Sequence, residues 1–126
     1  ISLASFDGRN FATAGKVARD FVERLTRNPF PEPVLLNINV PDVPFEEIRG
    51  TKVTRLGRRH KSEMAVKTKT PRGETVYWIG AAGPASDAGE GTDFHAVEAN
   101  HVSVTPLQID LTHTGQMDGV SAWMNK

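Results

Sequence analysis

The 126-residue chain contains no cysteine. That absence excludes disulfides, thiolate zinc sites and a thiol nucleophile. It contains no apolar run near the roughly 20 residues that a membrane-spanning helix needs. It has no charge excess: Lys plus Arg number 15 and Asp plus Glu number 15, so the whole chain is not a polycation built for nucleic acid. Aromatics are sparse at 7 %, whereas 11 Gly and 8 Pro make the chain rich in turns. The length fits one domain or part of one, and a domain this size buries roughly two thirds of its unfolded surface.

What is present is segregated charge. Residues 52–72 hold eight basic side chains and one acid, Glu63. Residues 74–118 hold seven acids and no Lys or Arg. Such blocks pair within a chain or between two copies; the plainer reading is two solvated faces.

Ile1 to Phe6 read as an apolar strand without the basic n-region or cleavage site of a signal peptide. A chain that opens on Ile1, inside a strand that looks buried, reads as the back half of something longer. Asp7-Gly8 marks a turn. Asn10 is placed as an N-cap, and Phe11, Ala14, Val17, Ala18, Phe21, Val22 and Leu25 follow at helical spacing. Asn28-Pro29 ends that helix, and 29–33 form a stiff connector. Val34 to Val40 is a strand with Val34, Leu36, Ile38 and Val40 on one face and Leu35, Asn37 and Asn39 on the other. Helix followed by such a strand points to a βαβ unit and an α/β fold.

Beyond Thr51 the helical period disappears. Lys52 to Leu56 is a candidate strand. Met64 to Thr70 and Glu74 to Ile79 flank Pro71-Arg72-Gly73 and predict a long β-hairpin, basic on its first strand, with Tyr77 and Trp78 near the end of the second. Residues 80–92 read as loop. Thr92 caps one or two helical turns reaching Asn100. Val102 to Thr105 and Leu107 to Leu111 are predicted strands broken by Pro106, which suits a sheet edge. Residues 112–125 form a weak helix, with Met117, Val120, Trp123 and Met124 on one side and Gly115 and Gly119 against it.

No complete catalytic set emerges from the residues themselves. Gly89 to Phe94 looks like a phosphate cradle, but no Gly-Lys-Ser/Thr follows, and Asp93 in the first helical turn repels an anion; a capped turn is the plainer reading. Asp93, His95, Glu98 and His101 are metal-capable, yet only His95 and Glu98 share a helical face. His113 near Asp110 makes an acid–base pair with no accompanying nucleophile. Arg58, Arg59, His60 and Lys61 are able to meet phosphates, with Tyr77 and Trp78 on the same hairpin, but no reading helix accompanies them. Asn37 and Asn39 approach the end of a strand, where α/β folds bind ligands; buried amides bonding loop backbone are the alternative.

Three ordered stretches carry a resemblance: Leu35-Leu-Asn-Ile-Asn-Val-Pro41 with Ile48-Arg-Gly-Thr-Lys-Val-Thr-Arg55; Thr75-Val-Tyr-Trp-Ile-Gly80 after Pro71-Arg72-Gly73; and Gly91-Thr-Asp-Phe94 with Val102-Ser-Val-Thr-Pro-Leu107 and Asp110-Leu-Thr112. Together they resemble the C-terminal half of the SurE survival proteins, a family of 5′/3′-nucleotidases. The resemblance implies part of a three-layer α/β/α, Rossmann-like parallel-sheet domain. Residues 1–50 would be core, 51–80 a protruding hairpin, and 81–126 a loop, short strands and a C-terminal helical arm. It implies a cytoplasmic phosphatase of nucleoside monophosphates that uses a divalent cation, magnesium or manganese. The family's Asp-Asp pair and its Ser and Asn motifs have no counterpart here, so no catalytic or metal residue is carried over, and the cation is expected on residues outside this sequence.

The family's hairpin and arm engage neighbouring subunits. The same role is expected here, with Lys67, Lys69, Tyr77, Trp78, Asp110, His113 and Trp123 as contacts in a homodimer or homotetramer. Neither a membrane nor nucleic acid is an expected partner. Two other readings stay open: a non-catalytic assembly or binding module, and a nucleic-acid binder using the basic hairpin.

Overall fold

The computed structural model describes residues 1–61, 64–80 and 82–125. Strand β1 (Ser2–Ala4) leads through helix α1 (Phe11–Arg27) to strand β2 (Leu35–Pro41). A single 3₁₀ turn over Phe45–Glu47 precedes β3 (Thr51–Val53). Then come β4 (Arg58–Arg59), the hairpin β5 (Val66–Lys69) and β6 (Thr75–Trp78), and β7 (Ala85–Asp87). Helix α2 (Asp93–Glu98), strand β8 (Val102–Leu107), a 3₁₀ turn at Thr114–Gln116 and helix α3 (Met117–Met124) complete the chain.

The main sheet runs β1-β2-β8-β3. β1 and β2 are parallel and joined by α1, as the βαβ reading expected. β8 is antiparallel to β2 and parallel to β3, so the α/β sheet is mixed rather than wholly parallel. Alternation along β2 and β8 gives the sheet two unlike faces. Ile38 opposes Val104, and these two with Val40 and Val102 pack against Val17 of α1 to form the buried core. Val40 and Val102 are fully buried, and each such side chain is worth roughly 1.5–3 kcal/mol. On the other face Asn39 opposes Ser103 and Asn37 opposes Thr105. Helix α2 covers that side through Ala96, which makes a three-layer arrangement.

Local chemistry explains the element ends, with some departures from expectation. Asn10 occupies the N-cap position, but its side chain does not cap α1. Its amide instead donates to Asp42 just beyond β2, and the Asp42 carboxylate accepts the backbone N–H groups of Arg9 and Asn10 at 2.7–3.1 Å. Those two N–H groups lie before the first turn; the Thr13 N–H, which an Asn10 side-chain cap would take, donates to the Asn10 backbone carbonyl at 2.9 Å. Pro106 does not mark an edge, because β8 lies inside the sheet. The proline is accommodated because β3 pairs only as far as Val104, leaving that end of β8 with one neighbour. Residues 80–92 are not all loop: β7 pairs antiparallel with β4, an interaction between short segments of low strand propensity that the sequence pattern does not reveal.

The hairpin turn closes with Gly73 N–H donating to the Thr70 carbonyl at 2.9 Å, Pro71 following Thr70 and Gly73 at φ +86°. Helix α2 ends in a Schellman motif. His101 N–H reaches the Ala96 carbonyl, Asn100 N–H reaches Val97, and Asn100 takes φ +59°. No helix among the described residues is long and apolar enough to cross a membrane.

The accessible surface is 10249 Å², against about 6,600 Å² for a folded monomer of this mass. The excess carries apolar side chains: Val66, Trp78, Ile79, Leu111, Trp123 and Met124 are each more than 60 % exposed.

The Asp42 latch generates a pH prediction. Its pKa falls from 3.8 to about 2, mainly because the Arg9 backbone N–H donates to the carboxylate, with help from the Ser5 hydroxyl and Asn10. A carboxylate with a depressed native pKa stabilises the fold above its ordinary pKa and loses that contribution as pH falls. Thermal melts should therefore show Asp42→Asn several degrees below wild type at pH 7, with the gap closing between about pH 4 and pH 2. A gap independent of pH would refute the latch.

Candidate functional site

The carboxyl ends of parallel strands are where open α/β sheets collect ligands, because loops diverge there. A cavity of about 530 Å³ lies at that end. Ser5 and Phe6, just after β1, and Asn39 near the end of β2 form one side; Arg59 of β4 and Phe94 of α2 stand among those that form the other. The Ser2 hydroxyl donates to Asn39 Oδ1 at 2.8 Å, which leaves the amide N–H groups of Asn39 as donors. The Ser103 hydroxyl, on the same sheet face and fully buried, has no hydrogen-bond partner among the described residues.

The β4–β7 ribbon holds the outer wall. Arg55 donates to both oxygens of Asp87, at 2.6 and 2.9 Å, so the basic and acidic blocks meet here inside one chain. The pairing lowers the Asp87 pKa and raises that of Arg55, the shared hydrogen bond being the largest cause on each side. Both side chains keep considerable exposure, so the pair positions the ribbon more than it stabilises the fold. Asp93 Oδ1 accepts the Gly57 N–H at 2.7 Å, which ties the ribbon to α2. The Arg59 guanidinium lies 4.9 Å from the centre of the Phe94 ring, a cation–π stack.

The residues singled out in the sequence fall as follows. Gly89 to Phe94 is a capped turn: Thr92 Oγ1 accepts the His95 N–H at 3.2 Å and donates to the Gly89 carbonyl at 2.6 Å. Asp93, His95, Glu98 and His101 do not converge. Asp93 Oδ1 takes two backbone N–H groups, and His101 Nδ1 sits 2.9 Å from the Ala99 carbonyl. No group of three His, Asp or Glu gathers among the described residues, and these donors do not fit a divalent cation. Asp110 accepts the Thr112 N–H at 2.8 Å, which lowers its pKa; that is a local turn, and no bond joins it to His113. Lys67 opposes Tyr77 on one hairpin face and Val66 opposes Trp78 on the other. Trp123 is 72 % exposed on α3.

Asn39, Arg59, Asp93 and Glu98 stand out singly in the sequence and Phe94 closes the Gly89–Phe94 motif, whereas no motif marks Ala88 as a cavity residue. The one signal for Ala88 is the Gly-rich 80–92 segment leading into α2, whose composition reads as loop. A second, larger cavity of about 610 Å³ lies between α1 and the sheet. Its walls are apolar apart from Asp20, Arg24 and Thr51.

The geometry defines an α/β domain with a cavity at the carboxyl ends of its parallel strands. The family model described as "Survival protein SurE" matches residues 1–63. The chain is 59 % identical over 124 residues to the 5′-nucleotidase SurE of Nitrosomonas europaea, covering 98 % of this chain and 50 % of that protein. It is 60 % identical over 125 residues to the 5′-nucleotidase SurE of Laribacter hongkongensis, covering 99 % and 51 %. The crystal structure of the SurE protein from Aquifex aeolicus superposes with a TM-score of 0.74 at 39 % identity, over 98 % of this chain and 50 % of that one. The chain belongs to the SurE family and spans about half the length of the curated relatives it matches.

Gly57 tests the ribbon. A Cβ there would collide with the Phe94 ring and come within 2.6 Å of the Asp87 carbonyl. Gly57→Ala should cost about 1–3 kcal/mol in urea unfolding. A neutral variant would show that the outer wall is not packed as described.

Proposed function

We propose that this chain is the C-terminal half of a cytoplasmic, metal-dependent phosphatase that hydrolyses nucleoside 5′- and 3′-monophosphates. The observation that carries the reading is 59–60 % identity, over nearly the whole chain, to proteins named 5′-nucleotidase. In metal-dependent phosphomonoester hydrolysis a carboxylate-held cation neutralises phosphoryl charge and orients a water. The donors here do not provide that grip, so magnesium or manganese is assigned to residues outside these 126. This segment then supplies sheet, pocket wall and subunit contacts.

Assays with AMP and p-nitrophenyl phosphate plus manganese test this. Protein of the full family length should turn over both, and residues 1–126 alone should turn over neither. Metal-dependent turnover by the segment alone would overturn the division of labour.

The hairpin and arm are assigned to contacts with a second copy, giving a homodimer or homotetramer through Lys67, Lys69, Tyr77, Trp78, Asp110, His113 and Trp123. One feature supports this: the two-sided hairpin, with Lys67, Lys69 and Tyr77 on one face and Val66 and Trp78 on the other. Replacing Lys67 and Lys69 by Glu should lower the mass seen by light scattering at low salt, because a basic strand facing an acidic surface becomes repulsive. An unchanged mass would remove these lysines from the interface.

A further inference from the structure

The cavity at the ends of β1 and β2 has a composition that chooses between the two halves of a nucleotide. Beside one cation, Arg59, it holds two carboxylates, Asp93 and Glu98. That balance disfavours a phosphate dianion. Apart from Ser5 and Asn39 the remaining walls are apolar, with Ala88 and Val97 among them. A flat platform stands in them, because stacking on Phe94 holds the Arg59 guanidinium at 4.9 Å from the ring centre. Planar cations and aromatic rings are the surfaces on which nucleobases stack. Donors and acceptors for a polar heterocycle and a sugar are also present. Among the described residues nothing accepts from the Asn39 amide N–H groups while Ser2 occupies its oxygen, and the exposed Glu98 carboxylate suits sugar hydroxyls, as acidic residues do in dinucleotide folds. At about 530 Å³ the space lies within the ordinary range for small-ligand pockets.

We infer that this cavity receives the nucleoside half of the substrate, with the base against the Arg59–Phe94 stack and Glu98 accepting from the ribose, so that the phosphate projects out past the strand ends. The assignment rests on the phosphatase reading and adds to it which residues of this chain decide substrate choice.

The test uses protein of the full family length and compares AMP with p-nitrophenyl phosphate, which has no nucleoside. Ala88→Phe fills the cavity. It should lower kcat/KM for AMP about tenfold more than for p-nitrophenyl phosphate, chiefly through KM. Arg59→Lys keeps the charge and loses the plane, and should raise KM for AMP about 3- to 30-fold relative to the same reference. Adenosine, which carries no phosphate, should bind the wild type in calorimetry and bind both variants more weakly. Circular dichroism confirms that each variant is folded.

Equal losses for both substrates, or no loss for either, overturn the nucleoside assignment and leave the phosphatase reading standing. Failure of the wild type to hydrolyse either substrate overturns the phosphatase reading. Adenosine binding, which needs no turnover, then decides the pocket separately: no binding at millimolar concentration overturns the assignment.

Discussion

The register between β2 and β8 is the constraint on which the structure depends. It sets Ile38 beside Val104 and Asn39 beside Ser103, so one sheet face is hydrocarbon and the other is amide and hydroxyl. A one-residue slip of β8 would turn that strand's faces over, placing Ser103 and Thr105 against Val17 and Val102 and Val104 under α2. With the register in place, α1 has one surface to lie on. The short helix α2 is left with a polar face that Ala96 approaches closely and that Thr54 and Thr105 satisfy through a buried hydroxyl pair at 2.7 Å.

From that polar face the pocket follows. Asn39 is held by Ser2 of the neighbouring strand, and the facing wall is carried by α2 and by the β4–β7 ribbon. The ribbon has little intrinsic stability: β4 has two residues and β7 three. Its position comes from two ties that reach across the sequence, the bidentate Arg55–Asp87 pair and the Gly57–Asp93 hydrogen bond. The absence of a side chain at Gly57 lets Phe94 close against it, and Phe94 in turn presents Arg59. Part of the charge segregation along the chain is therefore spent on building a wall inside one molecule. The rest, on the hairpin, stays exposed.

Much of the architecture was legible because its signals are periodic and local. The stripe through Ala14, Val17 and Phe21 marked α1, the alternation from Leu36 to Val40 marked β2, Pro71 to Gly73 marked the hairpin turn, and Thr92 marked the start of α2. Three points were not legible. The Asn10 side chain turns away from α1 to donate to Asp42, a residue 32 positions away. Pro106 looked like an edge residue because nothing nearby shows that β8 enters the sheet between β2 and β3. The pairing of Ala85–Asp87 with Arg58–Arg59 leaves no trace in segments of alanine, serine and glycine. For the site, individual residues stood out, but their company did not: Asp93 and His95 suggested metal, whereas Asp93 proves to be a backbone anchor.

By itself the sequence determined the α/β class, the βαβ opening, the hairpin and the family resemblance, since each rests on patterns a few residues long or on ordered motifs. It also shows that no two aspartates are adjacent within these 126 residues. Only the tertiary structure decided which strand lies at the centre of the sheet, which helix cap is a side chain and which a distant carboxylate, and that Arg59, Phe94, Asn39 and Glu98 line one cavity. These outcomes depend on contacts between residues more than 30 positions apart, where hydrogen-bond geometry and close packing choose among partners that composition and periodicity leave equivalent.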